Sequence, residues 1–199
     1  EDLVTDLSDS MPEGITVESG GRYKAMFSYK IKNYALLDYD GKLTMKGSGL
    51  RSRGLEKFQR LFLEEVISRL LHDRKGEIPP LFQQYLERMA KHQWDVKMFM
   101  KTEMLQDSLE KYREKIRANA RNRSAAYELA LRSEKRYQPG DQISYYVTGD
   151  SEKVQAYENC KFAKEWDSRH PDENVKHYQK KLRDLYRKFS VFFEAESEA

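Results

Sequence analysis

"YKIKNYALLDYDGKLTMKG", residues 29–47, decides the reading of this chain. It interleaves Lys30, Lys32, Lys42 and Lys46 with Tyr29, Tyr34 and Tyr39, and its acids, Asp38 and Asp40, sit in the turn. The Asp40-Gly41 pair between two strand-forming runs predicts a hairpin closed by a type I′ turn. Solvated hairpins usually mix both signs of charge, so a one-signed ribbon studded with aromatics points to a polyanionic partner, nucleic acid first.

Upstream, "GITVES" (14–19) and "GRYKAMFSYK" (21–30) read as further strands, preceded by a short acidic helix over 1–11 that Pro12 and Gly14 stop. Downstream, the glycines of "KGSGLRSRG" (46–54) break the sheet. A helix from Leu55 to about Asp73 follows, with Leu55, Phe58, Leu61, Phe62, Val66 and Leu70 on one face. Pro79 and Pro80 start another that runs to about His92. Thr102 is placed to cap a helix beginning "EML", and Ser124 to cap "AAYELALRSEKR". "QISYYVTG" (142–149) reads as a strand after a Pro-Gly-Asp turn, and a last helix starts near Asp172 with Val175, Tyr178, Leu182, Leu185 and Phe189 as its core stripe. The fold class expected is α+β: a small antiparallel sheet over residues 1–54, then a mainly helical domain over 55–199.

Charged residues make up 35% of the 199 and aromatics 12%, which suits a folded chain with a large charged surface. The net charge of +3 is uneven. Residues 1–20 carry six acids and no Lys or Arg; residues 21–60 carry ten Lys or Arg against three acids; Lys111 to Arg136 holds nine against three. The two basic segments can form two walls of one groove. One cysteine, Cys160, excludes an internal disulfide and a cysteine-cluster metal site and suits a reducing compartment, with the cytoplasm as the default location. No apolar run reaches the roughly 20 residues of a membrane span, and the start at Glu1 rather than Met hints at a piece of something longer.

Other residues read as structural. His72, His92, His170 and His177 show no ligand spacing, and Cys160, placed in an aromatic and charged helix, has no activating neighbours in sequence. Trp94 and Trp166 read as core anchors, and Met98, Met100 and Met104 as core filler. Lysines on the ribbon also serve to guard sheet edges.

The order of the pieces resembles the C-terminal part of a family B DNA polymerase. "MPEGITVE" (11–18) resembles the family's Pro-Gly-Ile turn and "GRYKAMF" (21–27) its following strand. Lys32-Asn33-Tyr34 matches a Lys-x-Tyr motif, and "MKGSGLRSRG" (45–54) a Lys-Gly segment with arginines. "YQPGDQISYYVTG" (137–149) and "PDENVKHYQKKLRDLYRKF" (171–189) resemble the late strand and terminal helix of the thumb. The likeness runs over almost the whole chain with the order kept.

The resemblance implies a palm-end sheet and a helical thumb that grip primer-template DNA. Lys32 would reach the minor groove and Tyr34 the primer backbone, and alternate strand positions would aim both to one face. Minor-groove acceptors are nearly degenerate, so such a lysine holds paired DNA without reading it. Lys30, Lys46, Arg51 and Arg53 would sit near phosphates, with Gly47 and Gly49 letting backbone amides approach. Arg117, Arg121 and Arg123, with Asn119 and Asn122, would hold the duplex from the other side. The paired catalytic carboxylates are expected upstream of Glu1, since "TDLSDS" (5–10) copies the letters of the motif but falls in the acidic helix. No cofactor is expected in this fragment and Mg²⁺ in the whole polymerase. The implied partners are primer-template DNA and the N-terminal remainder of the polymerase, with no membrane, and a fragment dimer through a bare sheet edge is a further expectation. The fragment alone is expected to be inactive in replication or repair synthesis. The alternative is a free-standing or split-subunit nucleic-acid-binding module without catalysis.

Overall fold

Two units, Glu1–Leu50 and Arg51–Ala199, make up the chain in the computed structural model, which describes residues 2–52 and 54–194. The first unit holds helix α1 (Asp2–Asp9) and an antiparallel meander of β1 (Ala25–Lys30), β2 (Asn33–Leu37) and β3 (Leu43–Lys46), in the order β1-β2-β3. Alternation sets its two faces: Ala35 and Leu37 are buried, whereas Met26, Ser28 and Lys30 of β1 are exposed.

Three local expectations are corrected here. "GITVES" and residues 21–24 form no strand. The Ser8 hydroxyl of α1 instead donates to the Val17 carbonyl and accepts from the Val17 amide, both at 3.3 Å, so that backbone is satisfied without a ladder. The β2–β3 loop is not type I′, because Gly41 (φ +83°) has positive φ and Asp40 does not. Gly41 N–H closes a turn on the Asp38 carbonyl (3.3 Å), and the Asp38 carboxylate accepts from the amides of Asp40 (3.0 Å) and Lys42 (2.7 Å). That is a three-residue loop ending in a left-handed glycine, with the aspartate side chain organising it. Lastly, Lys32 is not on a strand: Ile31 and Lys32 form the β1–β2 turn, Lys30 pairs with Asn33, and Lys32 has φ +60°.

In the second unit, α2 (Lys57–Leu71), α3 (Ile78–Ala90) and α6 (Val175–Ser190) pack together. Phe58 lies 6.2 Å from Trp94, 5.9 Å from Phe99 and 5.9 Å, edge-on, from Tyr178, an aromatic cluster that anchors these helices. The buried face of α2 runs through Phe58, Gln59, Phe62, Leu63, Val66 and Ile67, so Leu63 and Ile67 take the place expected of Leu61 and Leu70. Asn174 caps α6 by accepting from the His177 amide at 3.0 Å.

A second antiparallel sheet, β4 (Lys101–Met104), β5 (Gln142–Val147) and β6 (Cys160–Phe162), accompanies α4 (Leu109–Arg117) and α5 (Ala125–Arg132). The architecture is therefore α+β as expected, but with a sheet in each unit. Thr102 lies in β4 opposite Ser144, the two hydroxyls 2.6 Å apart, rather than capping a helix. Cys160 is on β6, not on a helix, and Met104 is exposed rather than core. Three residues on β6 and four on β4 are too few to show alternation, and only pairing with the central β5 makes them strands.

Candidate nucleic-acid interface

On the open face of the first unit's sheet, Tyr34 stands between Ser28 on β1 and Lys46 on β3, its direct cross-strand neighbours. Directly opposed residues point to the same side, so the half-buried Tyr34 ring and the exposed Lys46 ammonium share that surface. Lys30 is exposed with its Nζ 5.3 Å over the Tyr29 ring, and Lys32 projects from the exposed turn. Among the described residues, Lys30, Lys32, Lys42 and Lys46 make no ion pair.

The middle residue of Lys32-Asn33-Tyr34 is structural. Asn33 Nδ2 donates to the Ile31 carbonyl (2.8 Å) and its Oδ1 accepts from the Gly49 amide (2.5 Å), tying the turn to the loop after β3. A Cβ on Gly47 (φ +92°) would lie 2.2 Å from the Lys32 carbonyl oxygen, and one on Gly49 2.8 Å from Asn33 Oδ1. These glycines are needed by the ribbon's own packing, and the Gly49 amide is spent within it.

The predicted arginines of the second unit divide. Arg121 is held: it lies 3.3 Å from Asp107 and stacks 4.4 Å from the Tyr127 ring centroid and 5.4 Å from that of Tyr112. Asp107 also binds Lys111 (3.1 Å) and Lys115 (2.6 Å), and these lysines, Lys115 first, hold its carboxyl below the usual carboxylate range. Arg123 is exposed, 5.6 Å over the Tyr157 ring, and Arg117 is exposed in the last turn of α4, where the helix dipole favours a cation. Asn119 supplies the left-handed residue (φ +53°) after that helix. Arg51 is exposed, and Arg53 lies outside the described residues.

The 119–125 and 154–157 segments enclose a cleft of about 1020 Å³, with Glu103 and Tyr145 also in its lining. Glu103 accepts from the Tyr145 hydroxyl and from Ser124 Oγ (2.9 Å), which is why the Ser124 side chain does not cap α5. Burial, then the bond to Glu103, pushes the Tyr145 phenol up, so it stays a donor. Tyr112 is pushed up to about 12, mainly by burial, and donates to Glu128 (2.9 Å).

Sequence reading missed one basic concavity. Lys57, Arg60, Lys97 and Lys101 line a pocket of about 650 Å³ with Leu55 and Met100. The spacing of Lys57 and Arg60 on one helix turn was visible in the sequence, but the arrival of β4 beside them was not. Lys101 is partly neutralised there, 3.5 Å from the buried Glu56 carboxylate, which Lys181 also binds.

Among the described residues, no three His, Cys, Asp or Glu side chains gather as a metal site. Asp6 and Asp9 are exposed on α1. No described helix is long and apolar enough to cross a membrane.

A search of curated proteins finds no match. The structure is similar to that of the family B DNA polymerase from the hyperthermophilic archaeon Pyrobaculum calidifontis, with a TM-score of 0.69 at 15% identity. That match covers 100% of this chain and 24% of the archaeal one, so this chain spans about a quarter of the other's length. The family model of DNA polymerase family B matches residues 2–189. With a match over nearly its whole length, this chain belongs to DNA polymerase family B.

Proposed function

We propose that this chain is the duplex-gripping, C-terminal part of a DNA-directed DNA polymerase, with residues 1–54 as the end of the palm and 55–199 as the thumb. The observation that carries this reading is the open sheet face on which Tyr34 and Lys46 are neighbours and the ribbon lysines make no ion pair among the described residues. A protein that leaves several ammonium groups unpaired keeps them available for phosphates, whose contacts position a duplex without reading its sequence. Lys30, Lys32, Lys46 and Arg51 are the phosphate or minor-groove contacts, Tyr34 packs on the backbone, and Gly47 shapes the ribbon. Arg117 and Arg123 add phosphate contacts from the thumb, while Arg121 holds the loop that presents Arg123.

Nucleotidyl transfer belongs to the larger polymerase. Its magnesium-binding carboxylates come from elsewhere in that protein, and this chain contributes by holding the primer end still. The partners on this reading are primer-template DNA and the rest of the polymerase.

Fluorescence anisotropy of the 199-residue chain on a labelled primer-template duplex, across a salt series, tests this. The expected result is binding whose log–log salt slope is about −0.9 per neutralised phosphate, clearly weakened by Lys46→Ala/Tyr34→Phe. Equal binding by wild type and variant overturns the ribbon as the grip.

A further inference from the structure

We propose that the cleft between residues 119–125 and 154–157 binds one unstacked nucleotide of a single strand, with a preference for bases that carry an exocyclic amino group. It rests on the polymerase reading only in that a nucleic-acid strand is at hand. At about 1020 Å³ the cleft is at the upper end of small-molecule sites and has room for a base with its sugar.

Its lining has the three kinds of group that unpaired bases require. Asn122 and Gln155 offer amide side chains that make no hydrogen bond within the described residues. Each carries two donors and an acceptor, the complement of a base edge, and that edge is free only when the base is unpaired. Tyr157 and Arg123 provide an aromatic face and a guanidinium plane, 5.6 Å apart, of the kind on which single-stranded bases stack. Arg121 is fixed in the wall by Asp107 at 3.3 Å and by the Tyr127 ring at 4.4 Å, so its position costs nothing to organise on binding.

Glu103 sets the orientation. Its carboxylate already accepts from Tyr145 and from Ser124, and each oxygen keeps a further lone pair. A negative group in the lining repels phosphate and accepts from an amino group, so the base enters toward Glu103 and its phosphate stays out by Arg123. Thymine offers the carboxylate only its N3–H, flanked by two carbonyl oxygens that the carboxylate repels, so it is held there less tightly than a base with an amino group.

The experiment compares anisotropy of the full chain with labelled short oligo(dC), oligo(dT) and a blunt duplex at one salt concentration. Wild type should bind oligo(dC) more tightly than oligo(dT). The Gln155→Ala variant, altered at an exposed position, should lose about tenfold on oligo(dC), the loss of one good edge contact, and nothing on the duplex. Equal loss on both probes would make the cleft part of the duplex grip, and no loss on either would leave it without this ligand; each overturns the proposal. Lys46→Ala separates the two readings. A duplex that ignores Lys46→Ala, while oligo(dC) responds to the cleft variant, sinks the ribbon and leaves the cleft standing.

Discussion

The two basic regions of this chain carry similar charge and use it in opposite ways. On the β1–β3 ribbon, Lys30, Lys32, Lys42 and Lys46 face solvent with no ion pair among the described residues. In the Lys111–Arg136 segment, Asp107 gathers Lys111, Lys115 and Arg121, and Arg132 is drawn inward to the Tyr157 carbonyl (3.1 Å) and Cys160 Sγ (3.5 Å). Counting cations therefore does not locate an interface. What matters is whether a carboxylate or carbonyl already holds them, because a cation already paired does not neutralise a phosphate and so displaces no counterion condensed on the DNA.

The largest effect should come from breaking the inward use of charge at its most buried point. Glu56 is 3% exposed and binds the half-buried Lys181, whose ammonium is pulled below its usual range by burial, and Lys101, so Glu56→Ala leaves both cations without their carboxylate. A loss of about 3–5 kcal/mol is expected in urea unfolding; a loss under 1 kcal/mol would mean that water reaches Lys181.

Next comes the ribbon's scaffold. Gly47→Ala places a Cβ 2.2 Å from the Lys32 carbonyl at φ +92°, which combines left-handed strain with a backbone clash. It should cost about 3 kcal/mol locally and open the ribbon amides to hydrogen exchange, sparing those of the second unit.

Asp107→Asn turns the held region toward the open one. The folded carboxyl titrates below its ordinary value, so its contribution is whole above the unfolded pKa of about 3.9, fades as pH falls below that, and is gone below the folded value. Because Glu110, Asp167 and Asp172 are also held low, Asp107→Asn should still lose stability in that acid window, but less than wild type; parallel curves would deny Asp107 its role.

The smallest effects are the most diagnostic. Lys30→Ala and Lys46→Ala should each lower the salt slope on duplex by about 0.9, whereas Arg121→Ala should leave it unchanged. Equal slopes for all three would erase the distinction between the regions.

Much of this was legible in the chain. The strand-forming runs over 21–30 and on either side of Asp40-Gly41 gave strands, and Pro79-Pro80 and the 175–189 stripe gave helices, close to those observed. Strands and helices of that length carry their period within themselves. The basic composition of both segments was equally plain. The Lys-x-Tyr spacing, by contrast, misled about geometry, since β1 ends at Lys30, the two-residue turn takes Ile31 and Lys32, and no periodicity reveals where a register shifts.

What the sequence by itself determined is the α+β class, the apolar stripes of the last helix and the one-signed ribbon, because these depend on neighbours in the chain. Only the tertiary structure decided that Thr102 and Cys160 lie on strands, that Asp107 claims Arg121 from 14 residues away, and that Lys97 joins Lys57 in one pocket. Those outcomes depend on which partner arrives through space, and a short strand or a long side chain takes its role from that partner.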